Sequence, residues 1–185
     1  ARDYAQSLVS LGLAAGRPDG RYRLLGPAKT FGGTLEWYVA RELRRRFALD
    51  VAVGVKLQVR GVGGDLDIVA AGEGKLIYLE LKSSPPRNLS TTEIAAFFDR
   101  LRILRPDLAL FVVDTALRLS DKVLPMLLDE IELRQGHSPA PLRRIKHEIW
   151  RLTPHLYAVN GRRDLMANIG RALAEGLLAF SPRIP

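Results

Sequence analysis

A chain of 185 residues with 47% hydrophobic residues, 26% charged residues and a net charge of +8 fits one globular domain with at most a small appendage. It has no cysteine, which excludes disulfides and thiolate metal sites alike, and no apolar run of membrane-spanning length. The basic balance suits a polyanion, and 22 of its 28 basic residues are arginines, whose forks match phosphate geometry, although a GC-rich genome or a warm habitat favours arginine too. No signal peptide is visible, so the cytoplasm is the expected setting; the start at Ala1 rather than methionine leaves room for a preceding segment.

In chain order, residues 1–13 carry Tyr4, Leu8, Val9 and Leu11 on a helical pattern, which Gly12, Gly16 and Pro18-Asp19-Gly20 end. Arg21 to Leu25 reads as a short strand. A helix ending in Leu-Gly-Leu, a turn and a basic strand is similar to the final helix and wing of a winged-helix domain; a helix and hairpin that pad the core is the equal alternative. Gly26-Pro27-Ala28-Lys29 looks like a linker, which divides the chain into residues 1–29 and 30–185. Thr34 is a suitable N-cap for a helix from Leu35 to Ala48, with Leu35, Val39, Leu43 and Phe47 as its apolar row. Glu36 then sits in the first turn, where compensation of the helix dipole accounts for an acid without any metal. Arg41, Arg44, Arg45 and Arg46 point away from the apolar row.

Val51 to Arg60 alternates as a strand and ends in Gly61-Val62-Gly63-Gly64, a flexible turn. The next two stretches are the informative ones. Residues 64–69 and 76–82 both alternate and are rich in β-formers, and Gly72-Glu73-Gly74-Lys75 joins them as a tight hairpin. With Glu73-Gly74 as a two-residue loop, Gly72 pairs with Lys75, Asp67 opposes Glu80, and Asp65 opposes Lys82. Glu80 and Lys82 share one face of the strand, Leu79 and Leu81 the other. Two directly opposed carboxylates destabilise a sheet unless a cation stands between them. Hard divalent ions such as Mg²⁺ take carboxylate oxygens, and an adjacent lysine can orient a water or neutralise charge on a phosphate.

Ser83-Ser84-Pro85-Pro86-Arg87 ends the strand, and Ser90 with Glu93 forms a capping box for a helix from Thr91 to Arg105. Ile94, Phe97, Phe98, Leu101 and Leu104 form its apolar stripe, and Arg100, Arg102 and Arg105 add a basic side. The continuous apolar run from Leu108 to Val113 marks a strand covered on both faces, so the preceding helix is a crossover and the sheet is mixed. Asp114 is expected to cap the next helix with Thr115 and Ser120. That helix runs to Gln135, a loop covers 136–141, and Arg143 to Leu152 mixes charged and apolar residues. His155 to Asn160 reads as a last strand and Asp164 to Phe180 as an amphipathic helix. The three histidines show no metal-ligand spacing.

Asp67 followed thirteen residues later by Glu80-Leu81-Lys82 resembles the signature of the PD-(D/E)XK nuclease superfamily. Glu36, within Gly32-Gly33-Thr34-Leu35-Glu36-Trp37-Tyr38, is similar to the glutamate these nucleases carry on the helix before the first core strand. Leu66, rather than proline, precedes the aspartate. The Glu36 and Glu-Leu-Lys-Ser-Ser segments look closest to nuclease domains of CRISPR-ancillary effectors, with archaeal Holliday-junction resolvases more distantly similar. The resemblance implies a restriction-endonuclease-like α/β core, a central mixed sheet flanked by helices. It also implies a Mg²⁺- or Mn²⁺-dependent endonuclease acting on nucleic acid, DNA favoured over RNA. Asp67, Glu80, Glu36 and the Leu81 carbonyl would be its metal ligands, Glu36, Asp67, Glu80 and Lys82 its catalytic residues, and Ser83, Ser84 and Arg87 its substrate contacts. Several enzymes of this fold act as dimers. The alternatives are an inactive nucleic-acid-binding or scaffolding module with the same fold, and a plain hairpin in which Asp65–Lys82 is a salt bridge and the acids are solvated.

Overall fold

The structure, a computed structural model, describes residues 2–10, 12, 14–25, 31–59, 63–138 and 141–178. The linker read at 26–29, the domain boundary after it, Leu11 of the first helix, the strand end at Arg60 with Gly61-Val62, Pro139-Ala140 of the 136–141 loop and the helix end at Phe180 lie outside those residues. The chain divides into two compact units, Ala1–Thr34 and Leu35–Pro185. In the first, helix α1 (Arg2–Ser10) precedes an antiparallel hairpin of β1 (Ala14–Gly16) and β2 (Tyr22–Leu24).

The second unit is an α/β domain built on a seven-stranded mixed sheet. Its elements are α2 (Phe31–Phe47), which starts in the first unit, β3 (Asp50–Lys56), β4 (Asp65–Gly72), β5 (Lys75–Lys82), a 3₁₀ turn (Pro86–Asn88), α3 (Thr91–Leu104), β6 (Leu108–Val113), α4 (Val123–Gln135), β7 (Arg143–Lys146), β8 (Ile149–Thr153), β9 (Leu156–Asn160) and α5 (Leu165–Leu178). Strand order is β3-β4-β5-β6-β9-β8-β7, with β5, β6 and β9 parallel and the outer pairs antiparallel.

The apolar run from Leu108 to Val113 behaves as its composition demands: every residue is buried. Leu108, Leu110 and Val112 join the layer packed under α2 and α5, with Leu43, Val39, Ile169 and Leu173. Ala109, Phe111 and Val113 join the opposite layer under α3 and α4, with Ile94, Phe97, Leu124 and Leu127. The sheet is thus sandwiched between helix pairs, and each fully buried Leu, Ile, Val or Phe contributes roughly 1.5–3 kcal/mol. α3 has its Ser90–Glu93 capping box and closes on Arg105 in a left-handed conformation.

Several boundaries differ from the sequence reading; α4, for one, begins at Val123 rather than Ser120. α2 begins at Phe31, so Thr34 lies inside it rather than capping it. Gly32 and Gly33 suggested a later start, but a glycine costs only ~1 kcal/mol in a helix, less than burial of the apolar face returns. Glu36 is consequently in the second turn, away from the helix terminus, and dipole compensation no longer accounts for it. β3 stops at Lys56. The charged stretch 143–152 forms the β7–β8 hairpin, where charge masks strand alternation on an outer edge.

Candidate active site

The β4–β5 turn holds Glu73 and Gly74 at φ 52° and 70°, the two positive φ values of a type I′ hairpin. This fixes the register expected from sequence: Gly72 pairs with Lys75, and the regular ladder runs to Ile68 opposite Leu79. Continuing that register sets Asp67 opposite Glu80. There the carboxylate takes over from the backbone, with Asp67 Oδ2 accepting from the Leu81 N–H at 2.7 Å.

Asp67 also marks a change of face. Leu66 packs under α3 and α4 while Ile68, two residues on, packs under α2 and α5. A regular strand would keep both on one side. The neighbouring position in β3 is Gly54, at φ 62° and absent from the paired residues on either side of it. The positive φ requires glycine, and the local break lets β4 rotate and aim the Asp67 carboxyl across to β5.

Glu80 is 2% exposed, and both its oxygens have partners. Its Oε1 accepts from Arg100 Nη2 at 2.7 Å and lies 3.0 Å from Lys82 Nζ, and its Oε2 accepts from the Tyr78 hydroxyl. Arg100 reaches in from α3 and donates from Nε to the Tyr78 hydroxyl at 3.0 Å and from Nη1 to the Gly63 carbonyl at 3.2 Å. Gly64, at φ 83°, leaves the space that guanidinium needs, since a Cβ there would lie 3.3 Å from Arg100 Nη1. Lys82 Nζ is also 3.4 Å from Glu93 Oε1, so the capping residue of α3 doubles as a partner of the lysine.

The electrostatics follow from this packing. Burial first, then the charge of Glu80 and more weakly of Glu36, pushes the Asp67 carboxyl up to about 7, against the opposing Leu81 N–H and Lys82. Burial, then Glu80 and Asp65, raises the Glu36 carboxyl as well. Burial would lower the Lys82 ammonium, but Glu80, Glu93 and Asp67 outweigh it and hold the lysine charged. The Tyr78 hydroxyl is pushed far up by burial and Glu80.

The structure therefore brings Asp67 within electrostatic reach of Glu36, Glu80 and Lys82, and Glu80 within reach of the other three. Ser83, Ser84 and Arg87 lie exposed on the loop that leaves β5. The expected Asp65–Lys82 pairing is not found: Lys82 turns toward Glu80 and Glu93, and exposed Asp65 makes no ion pair within 4.0 Å among the described residues. The face change at Asp67 is the reason, because it takes Asp65 off the side where Lys82 points. Burial of Glu80 likewise rules out a hairpin whose acids are all solvated. Asp114 forms no cap of the expected kind; its N–H donates to the Lys82 carbonyl at 2.8 Å, which ties the β6 end to the β5 end.

Tyr78 and Arg100 are site residues that the sequence pattern does not single out: Arg100 reads there as one of three arginines on the basic side of its helix, yet it is 6% exposed. A signal for it existed: it lies three residues after Phe97 and seven after Glu93, on the inward side of α3. Tyr78 lies two residues before Glu80 and so shares its face of β5.

Among the described residues, no group of three or more His, Cys, Asp or Glu side chains forms a ready-made metal cage. The donor chemistry nonetheless fits a hard divalent ion, because Asp67 and Glu36 are carboxylates whose ionisation is opposed by burial and then by the acids around them. Of the histidines, His147 contacts Arg163, His155 faces the Asp107 carbonyl and His137 the Ser138 carbonyl.

No family model matches the sequence, and no curated protein matches it. Among solved structures the chain is similar to the crystal structure of protein VC1899 from Vibrio cholerae, with a TM-score of 0.52 and 16% sequence identity. The likeness covers 95% of this chain and 43% of that one, so the chain spans less than half of that protein's length. At this identity the shared property is the fold: an α/β domain with helices flanking a mixed sheet.

Proposed function

We propose that this chain is a nuclease of the PD-(D/E)XK type, hydrolysing phosphodiester bonds of nucleic acid, DNA in preference to RNA, with Mg²⁺ or Mn²⁺. The observation that carries this reading is the buried and crowded carboxyl of Asp67: burial, then Glu80 and Glu36, raises it to about 7, with a charged lysine next to it. Such an arrangement opposes folding and is expected where a cation is to be bound. Asp67 and Glu36 would hold the ion, with Glu80 and the Leu81 carbonyl completing the set. A bound divalent ion supplies Lewis-acid polarisation of a phosphoryl oxygen and a bound water of lowered pKa.

The rest of the work falls to the chain. The Leu81 N–H holds the Asp67 carboxylate in one orientation. Glu80 and Glu93 hold Lys82 Nζ at the strand end, where an ammonium can orient an attacking water or offset negative charge on a phosphate. Arg100 and Tyr78 hold Glu80 in one position within the protein. Ser83, Ser84 and Arg87, on the adjoining exposed loop, are the expected substrate contacts.

Labelled DNA and RNA oligonucleotides incubated with Mg²⁺ or Mn²⁺ test the reading. Cleavage by the unaltered chain should disappear in Asp67→Ala and Lys82→Ala, both of which should remain folded. Retained cleavage in both variants sinks the assignment. A second reading, a nucleic-acid-binding or scaffolding module without catalysis, draws on the contacts Glu80 already makes with Arg100, Lys82 and Tyr78. It predicts no Mn²⁺ binding heat that depends on Asp67.

A further inference from the structure

Five cations gather along the sheet edge that carries the candidate site. The parallel register sets Lys82, Val113 and Asn160 in one row across β5, β6 and β9. The chain leaving β9 is anchored just beyond that row, where the Gly161 N–H donates to the Val113 carbonyl at 3.0 Å. Arg162 and Arg163 follow directly and are exposed. β8 runs antiparallel to β9 with Ile149 opposite Val159, so the β7–β8 turn, with exposed Arg144 and Lys146 before it, comes up at the same edge. Arg163 Nη1 lies 3.4 Å from His147 Nε2 in that turn. The loop after β6 joins them: the Leu119 N–H donates to Glu148 Oε2 at 2.9 Å, and exposed Arg118 precedes it.

The acids at this edge offset only part of the charge, chiefly at Arg144. Glu148 is buried and is used by the Leu119 N–H, by Trp150 and, at 3.3 Å, by Arg144. Asp164 caps α5 through the Ala167 N–H. Asp114 lies against Gly161. The excess of positive charge registers on His147, whose ring is held below its ordinary pKa by desolvation and by Arg163, Lys146, Arg144 and Arg162.

We infer that Arg118, Arg144, Lys146, Arg162 and Arg163 form a binding edge for the phosphodiester backbone of the nucleic acid cut at the Asp67–Glu80–Lys82 site. The inference rests on the nuclease reading for what happens to the strand, but not for its binding. β9 stands two strand spacings from β5, about 10 Å, so a strand lying along the edge reaches the cluster within a few nucleotides of Lys82. Such contacts are ionic and independent of base sequence.

Fluorescence anisotropy with labelled oligonucleotides in EDTA, across a salt series, tests binding apart from cleavage. Arg162→Ala/Arg163→Ala should weaken binding roughly tenfold or more at about 100 mM salt and reduce the slope of log K against log salt by about 1.5, two contacts' worth. Arg162→Lys/Arg163→Lys should keep the slope. Arg102→Ala/Arg105→Ala removes the same charge from exposed positions on α3 and its cap, toward the opposite end of the sheet, and should leave the slope unchanged. Equal losses in both alanine pairs, or none in either, overturn the proposal, as does failure of the unaltered chain to bind. Cleavage with unaltered binding in Arg162→Ala/Arg163→Ala overturns the edge and spares the nuclease reading; edge-dependent binding without cleavage does the reverse.

Discussion

Replacing Asp67 with asparagine should make the metal-free protein more stable at pH 8 than the unaltered chain. An aspartate raised from 3.8 to about 7 holds its proton in the folded state over a range where the unfolded chain has released it. Stability therefore falls as pH rises from about 4 to 7, and the full cost is present above the folded value. From pH 5 to 7 this amounts to at most ~2.7 kcal/mol at 1.36 kcal/mol per unit. Relaxation of Glu80 and Glu36, which share the charge, reduces it to ~2 kcal/mol. Asparagine keeps an oxygen for the Leu81 N–H but never ionises. The stability difference between Asp67→Asn and the unaltered chain should thus widen by ~2 kcal/mol between pH 5 and 8, or ~4–8 °C in Tm for a chain of this size. Circular-dichroism melts in EDTA at several pH values measure it. Saturating Mn²⁺ should then stabilise the unaltered chain at pH 8 and leave Asp67→Asn unmoved. Melting curves that stay parallel from pH 5 to 8 refute the reasoning.

Two further substitutions probe the supports of the site. Arg100→Met strips a buried guanidinium from Glu80 and should cost ~3 kcal/mol by urea denaturation, at the low end for a broken buried pair because Lys82 remains; adding Glu80→Gln should recover most of the loss, and a neutral single variant contradicts the network. Glu73→Asn puts a residue suited to positive φ into the type I′ turn and should stabilise the hairpin by ~0.5 kcal/mol, seen as a small rise in Tm; a lower Tm counts against the register.

Much of this protein is legible in its sequence because the signals are local. The period-2 pattern of 65–82 with Glu73-Gly74 between its halves suffices for a hairpin, and a two-residue turn leaves one register, with Gly72 opposite Lys75 and Ile68 opposite Leu79. The unbroken apolar run at 108–113 requires cover on both faces, which makes the sheet mixed and places helices on each side of it. Ser90 and Glu93 cap α3 where a capping box says they should.

Other features depend on residues far apart in the chain. Arg100 becomes the partner of Glu80 only because α3 packs across β5, twenty residues away. The face change at Asp67 needs Gly54 of a neighbouring strand, and it is this change that removes Asp65 from Lys82 and hands the lysine to Glu80 and Glu93. The basic edge exists because the parallel register aligns Lys82 with Asn160, residues no sequence pattern connects. Alternation and turn length act between near neighbours and can be read directly. Which charges meet is decided by how strands and helices stack, and only the folded chain settles it.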